Sequence, residues 1–236
     1  DDVNLQGINF STSLEQWNSE LEAYYLNKRD KSGAVAPIDE DASVNTMGLR
    51  GSARPAEGFY VFSELAYQWG TRAADATGAT TTGSGHQAWA ADLGIEYTFM
   101  DVATTPKVGF EWIFKSGKNN AGAVGGWDPI APSYFTSAIR EFQTATAGGL
   151  GFYGTDQAGD TSAATNQHQL AFYGSLSPLE DLTVAPRLTF FILDEAAVQA
   201  PGGQNERNRF AGTEWDTQVT YDYTEDVQLG FLYALF

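Results

Sequence analysis

The 236-residue chain lacks cysteine, which excludes disulfides, thiolate metal sites and cysteine nucleophiles. It also lacks a long apolar run: a membrane-spanning helix needs roughly 18 or more apolar residues, and the best candidate, 188–193, is far shorter. Positive charge is scarce, with 13 lysines and arginines against 30 aspartates and glutamates. The net charge of -17 argues against a nucleic-acid partner, because the phosphates would be repelled.

Histidine is scarce as well, since His86 and His168 are the only two. Both lie at the starts of strand-like segments, where we expect exposed side chains. The chain has no Gly-x-Ser-x-Gly elbow, no His-Glu-x-x-His pair and no phosphate-binding loop. The sequence therefore predicts a protein that is not an enzyme and carries no cofactor and no metal. Four acidic loop residues offer oxygen ligands for Ca²⁺ without the spacing of an EF-hand: Asp156, Asp160, Asp194 and Glu195.

Alternation of apolar and polar residues is the most informative pattern that is present. In segment 215–223 one parity carries Trp215, Val219, Tyr221 and Tyr223, and the other carries Asp216, Gln218, Thr220 and Asp222. This period of two predicts a strand with one apolar and one hydrated face. After a tight turn a second strand-like run ends on Phe236. A strand ending on an aromatic residue is typical of the closing strand of an outer-membrane β-barrel.

Ten strand-like segments form five predicted hairpins joined by alternately short and long connections. The long connections are 29–43, 71–85, 118–165 and 195–207. We predict strands over 3–12, 15–28, 44–54, 57–70, 86–99, 105–117, 166–177, 181–194, 208–223 and 226–236. A soluble β-sandwich also has such strands, but strict alternation of loop length is less expected there. The sequence predicts an all-β fold, an antiparallel up-and-down transmembrane β-barrel with one domain over 1–236 and a long extracellular loop at 118–165.

The polar parity of these strands identifies the residues that would face the interior of the barrel, while the apolar parity would face lipid. We predict ten pore-lining residues: Arg50, Glu64, Asp92, Glu96, Lys107, Glu111, Lys115, Arg187, Asp216 and Asp222. One interpretation is a charged constriction that selects solutes. The other is structural, because charges that face an interior also pair with one another and brace the wall.

Loop 118–165 is the second candidate site, because long barrel loops often fold inward. Its predicted constriction residues are Trp127, Asp128, Tyr134, Phe135 and Arg140, whose aromatic and charged side chains suit a sugar-like or amphiphilic solute. The alternative is an extracellular cap that stays outside the interior.

Several segments, taken in order, resemble the alginate-export family of outer-membrane barrels. They are Ser19–Leu26, Thr46–Gly51, Glu64–Gly70, the Asp-Pro-aromatic loop segment Gly126–Phe135, and the closing strand. The resemblance implies a barrel in which these ten strands belong to a larger set of about eighteen, and a family whose best-known member passes an anionic polysaccharide through an electropositive pore. The interior charges predicted here are mixed instead, with an excess of acids.

These observations predict a porin-like channel in the bacterial outer membrane for passive passage of small solutes or oligosaccharides. Its expected partners are outer-membrane lipid and the solute, and a protein partner or oligomer is left open. The N-terminal residues lack the basic and apolar regions of a signal peptide, so we expect that such a segment has been removed. Two alternatives remain: a scaffolding barrel that sheathes a partner protein, and export of an alginate-like polysaccharide. An outer-membrane barrel enzyme is a weaker third.

Overall fold

The computed structural model describes residues 3–30, 42–72, 84–117, 126–130, 136–140, 165–195 and 209–236. Within these ranges one antiparallel sheet contains ten strands in chain order. The strands are β1 Val3–Leu14, β2 Ser19–Asp30, β3 Ala42–Ala53, β4 Phe59–Arg72, β5 Ser84–Thr98, β6 Lys107–Lys115, β7 Gln167–Leu179, β8 Leu182–Leu193, β9 Phe210–Thr224 and β10 Val227–Leu235. Among the described residues, no helix is long and apolar enough to cross a membrane.

The predicted all-β, up-and-down architecture is confirmed, and each predicted strand overlaps an observed one. The predicted start of β2 at residue 15 is wrong. Residues 15–18 form a tight reversal, and the strand begins at Ser19. Gln16–Asn18 is a short 3-10 helix in which Trp17 and Asn18 have φ angles of 58° and 44°. Ser19 closes this reversal by donating its hydroxyl to the carbonyl of Gln16 at 2.7 Å.

One face of the sheet, called the apolar face below, carries exposed aliphatic and aromatic side chains. Its aromatic residues concentrate in two belts near opposite strand ends. One belt joins Tyr67 to Trp89 with ring centroids 4.3 Å apart, and the other joins Tyr97 to Phe59 at 4.7 Å and to Phe99 at 4.8 Å. Trp89 and Tyr97 both lie in β5, eight residues or about 26 Å apart along the strand. Two aromatic belts separated by an aliphatic band match the two interfaces of a bilayer.

The opposite face, called the polar face below, is braced by aromatic rings that lie over glycines of neighbouring strands. Tyr24 of β2 crosses Gly48 of β3 and donates its hydroxyl to Glu64 of β4 at 2.5 Å. Tyr173 of β7 crosses Gly109 of β6 in the same way and donates to Glu96 of β5 at 2.8 Å. A third ring, that of Phe62, covers Gly94. These rings restore the side-chain packing that a glycine removes from a strand.

Gly48→Ala tests this bracing. A Cβ at position 48 would overlap the Tyr24 ring, so the ring must leave its place and its hydrogen bond to Glu64. We expect the free energy of unfolding to fall by about 1–3 kcal/mol, the usual cost of overpacking. The measurement is urea denaturation of the refolded protein. Gly85→Ala is the control, because a Cβ there meets no atom within 4 Å; an equal loss in both variants would contradict the bracing role.

The faces of the last strand follow from its pairing with β9. Register shifts between Val227 and Gln228, and then runs from Gln228↔Asp222 to Leu235↔Trp215. Residues with odd numbers therefore share the apolar face with Trp215. Phe236 falls on the other parity and its ring lies 6.3 Å from that of Phe191 on the polar face.

Candidate functional site

The strand pairing places all ten predicted pore-lining residues on the polar face. Residues that pair directly across neighbouring strands form rows, and one row joins Arg50, Glu64 and Asp92. A second row joins Glu96 through Gly109 and Tyr173 to Arg187 and Asp216. The remaining members, Glu111, Lys107, Lys115 and Asp222, share the face through their parity in β6 and β9.

Several of these charges hold one another in place. Arg187 donates from Nη2 to Oε2 of Glu111 at 2.6 Å across the intervening strand β7. Lys107 lies 3.3 Å from Glu96, which also accepts the Tyr173 hydroxyl. The guanidinium of Arg187 stacks 5.3 Å from the Tyr173 ring centroid. Bracing is therefore part of the role of these groups, since each contact links different strands of the wall.

Carboxylates outnumber basic groups on the polar face. Among the strand residues whose side chains the structure describes, the registers assign nine acids and five bases to it. The acids are Glu20, Glu22, Glu64, Asp92, Glu96, Glu111, Glu214, Asp216 and Asp222, and the bases are Lys28, Arg50, Lys107, Lys115 and Arg187. The four bases predicted from sequence lie in four different rows. The wall thus carries a mixed field with an excess of negative charge.

Residues 126–130 of the long loop lie against the polar face. Asp128 forms an ion pair with Lys28 of β2 at 3.0 Å. The side-chain amide of Gln68 in β4 binds the backbone of Asp128 from both sides, donating to its carbonyl at 2.8 Å and accepting from its N–H at 2.9 Å. The backbone N–H of Trp127 donates to the backbone carbonyl of Ser116 at 2.9 Å. Because Gln68 is fully buried, this segment is held by a contact that excludes water.

Residues 136–140 form a second contact with the same face. The fully buried carboxylate of Glu214 in β9 accepts two backbone N–H groups, from Ile139 at 2.7 Å and from Arg140 at 2.9 Å. The Arg140 side chain donates to Gln167 at 3.3 Å and stacks 5.2 Å from the Phe191 ring centroid. Thr136 donates to Gln169 at 2.8 Å.

Loop segments 126–130 and 136–140 therefore contact β2 and β4 on one side and β7, β8 and β9 on the other. Gln68 and Glu214 each lie four residues inside the long-loop end of their strand. Of the predicted constriction residues, the structure brings Trp127, Asp128 and Arg140 to the polar face, whereas Tyr134 and Phe135 lie outside the described residues.

Sequence reasoning missed the side chains that hold the loop. It predicted an exposed His86, and the structure contradicts this: His86 is buried and its Nε2 lies 3.1 Å from Oε1 of Gln68. Glutamine carries no charge, so parity alone did not single out Gln68, Gln167 or Gln169. The available signal was their placement on the polar parity close to the long loop.

His168 lies on the apolar face, where its ring stacks 4.7 Å from Phe114, and its Nε2 is 3.5 Å from Asp194. Within the described ranges no group of three or more histidine, aspartate or glutamate side chains is arranged to hold a metal ion. Asp156 and Asp160, two of the candidate Ca²⁺ ligands, lie outside those ranges.

Comparison with known proteins gives one finding. A family model described as alginate export matches residues 8–236, nearly the whole chain. No curated protein matches the chain.

Proposed function

Because the chain belongs to the alginate-export family of outer-membrane β-barrel channels, we propose that it passes small neutral or cationic solutes, including oligosaccharides, across the outer membrane. The apolar face with its two aromatic belts contacts lipid, and the polar face lines the aqueous path. The observation that carries this proposal is the segregation of charged residues: within the described strands every charged side chain except Arg29, near the end of β2, lies on the face against which the loop packs. Exposing a charged face to lipid costs free energy, whereas exposing it to water is favourable.

Loop segments 126–130 and 136–140 narrow the path in this proposal. They enter from the strand ends that carry the long connections, which are the extracellular ends in bacterial barrels. Their anchoring groups, Gln68 and Glu214, are buried, so the segments form a fixed constriction and not a freely moving flap.

The charge of the wall favours neutral or cationic solutes over an acidic polysaccharide. An electropositive pore needs basic groups gathered at one level, whereas here they occupy different rows. Three of them also pair with carboxylates: Arg187 with Glu111, Lys107 with Glu96, and Lys28 with Asp128. The field that remains from nine acids and five bases concentrates cations.

The test is ion selectivity of the protein in planar bilayers. Under a potassium chloride gradient we expect a reversal potential that shows mild cation preference at low salt. The preference should fade as salt rises, because the Debye length falls from about 10 Å at 0.1 M to about 3 Å at 1 M. Asp92→Asn should reduce the preference, while Glu225→Gln in the β9–β10 turn should leave it unchanged.

Three results would contradict this proposal. Anion preference at low salt would indicate a local basic constriction and favour an acidic polysaccharide. Absence of conductance would favour a scaffolding barrel. Equal effects of Asp92→Asn and Glu225→Gln would mean that Asp92 does not line the path.

A further inference from the structure

A groove of about 410 Å³ lies on the apolar face of β1–β4, close to the short-turn ends of these strands. Strand pairing places most of its lining side chains on that face, among them Leu14, Leu21, Ala53, Val61 and Ser63. Gly51 and Ser63 leave the space, because these two small residues pair between Leu21 and Leu93 in one row. The volume falls within the range of small-molecule sites, which is roughly 300–1,000 Å³.

The groove lies within the part of the apolar face that the bilayer covers. Phe59 and Tyr97 belong to the aromatic belt at the short-turn ends, which are the periplasmic ends in bacterial barrels. Val61 and Ser63 follow Phe59 by two and four residues in β4, so they lie about 7 Å and 13 Å inside this belt. The groove is therefore continuous with the lipid interface, at the depth of the acyl chains of the inner leaflet.

The reversal at residues 15–18 forms the polar rim of the groove. Gln16 and Trp17 line it, and Trp17 is 58% exposed. The β3–β4 turn fixes this rim, since the backbone N–H of Arg54 donates to the carbonyl of Trp17 at 2.7 Å. No described residue accepts a hydrogen bond from the indole N–H of Trp17. An indole at this level suits a lipid, because its ring packs against the chain while its N–H reaches the headgroup oxygens.

The charge of the rim favours a zwitterionic headgroup. Glu15 is an exposed carboxylate of the same reversal. The guanidinium of Arg54 stacks 4.6 Å from the ring centroid of Tyr60, which lies on the polar face, so it is turned away from the groove. A headgroup with a phosphate alone would be repelled by Glu15, whereas an ammonium group beside the phosphate is attracted to it.

We propose that this groove binds one acyl chain of a zwitterionic glycerophospholipid of the inner leaflet. The indole N–H of Trp17 donates to an oxygen of the lipid, and the ammonium group of the lipid lies near Glu15. The inference rests on the placement of the apolar face in the bilayer, which belongs to the proposed function, and adds a specific lipid to that face.

The test measures lipid binding to the full chain in detergent micelles by native mass spectrometry, with dioleoylphosphatidylethanolamine as the probe. We expect one lipid to bind saturably. Ser63→Leu, which fills the floor of the groove, should weaken that binding about tenfold, because about two methylene groups of the chain lose their place. Ala23→Leu is the matched control and should not change it, since Ala23 is exposed on the same face but does not line the groove.

Trp17→Phe provides a second variant, which keeps an aromatic ring at the rim and removes only the indole N–H. Because one hydrogen bond to the lipid is lost, we expect about fivefold weaker binding. Dioleoylphosphatidylglycerol, the anionic counterpart of the probe, should bind more weakly to the unchanged protein than the zwitterionic lipid.

Lipid binding that is absent, or equal in Ser63→Leu and Ala23→Leu, would overturn the lipid site, while a measured conductance would leave the channel intact. Saturable binding that responds to Ser63→Leu in a protein without conductance would retain the site and reject the channel. Tighter binding of dioleoylphosphatidylglycerol would reject the zwitterionic assignment.

Discussion

Phe110→Arg is expected to lower the free energy of unfolding in a bilayer by about 2–4 kcal/mol, the cost of an arginine near the midplane of a barrel wall. Phe110 lies on the apolar face, paired with Ile95 and Phe172, and its ring is 5.1 Å from that of Phe172. It stands between the two aromatic belts, at a depth where lipid excludes water. The measurement is guanidinium denaturation of the protein refolded into phosphatidylcholine vesicles.

Val108→Arg is the matched control for this prediction. Val108 shares the strand and the face of Phe110 but pairs with Tyr97, within the belt at the short-turn end. An arginine there reaches the headgroups, so we expect a cost of only about 0–1 kcal/mol. Equal costs at the two positions would mean that depth does not matter, and would contradict the placement of this face in the bilayer.

The faces of the strands could be predicted from sequence because residues that pair directly in an antiparallel sheet lie on the same side. Once parity placed Glu64 on the polar side of β4, Arg50 and Asp92 had to follow in the neighbouring strands. This physical constraint is strong since a slip by one residue would place every charge on the lipid face. All ten strands could be predicted because their alternation extends over most of each strand, and the errors are confined to the strand ends.

The contacts that hold the loop could not be predicted, because they join residues far apart in sequence. Gln68 and Asp128 are 60 residues apart, and Glu214 and Arg140 are 74 apart. The alternation of apolar and polar residues within a strand predicts neither of these two contacts. His86 was predicted as exposed from its position at a strand end, but it is buried on the polar face, where its Nε2 lies 3.1 Å from Oε1 of Gln68.

The reversal at residues 15–18 shows a different limit. The alternation of Glu15 to Leu21 is compatible with a continuous strand, and only the positive φ angles of Trp17 and Asn18 reveal the turn. Asparagine adopts this conformation more readily than most residues, but tryptophan does not, so composition gave little warning.

Releasing the loop is expected to change conductance more than removing a wall charge that does not hold the loop. Glu214→Ala removes the acceptor of two backbone N–H groups, those of Ile139 and Arg140. Each buried group left without a partner costs about 1–3 kcal/mol, which is enough to favour an undocked segment. We expect single-channel conductance to rise in Glu214→Ala and to rise further when residues 125–142 are deleted.

Glu20→Ala distinguishes release of the loop from simple loss of charge. Glu20 is a carboxylate of the same face, but it lies at the short-turn end of β2, where it pairs with Ser13 and Ser52. Its removal should lower cation conductance slightly or leave it unchanged, because the wall becomes less negative while the loop stays docked. A rise in both variants would contradict release of the loop as the cause, because the loop stays docked in Glu20→Ala. Unchanged conductance after deletion of 125–142, in a protein that still folds, would make the segment a cap that does not narrow the path.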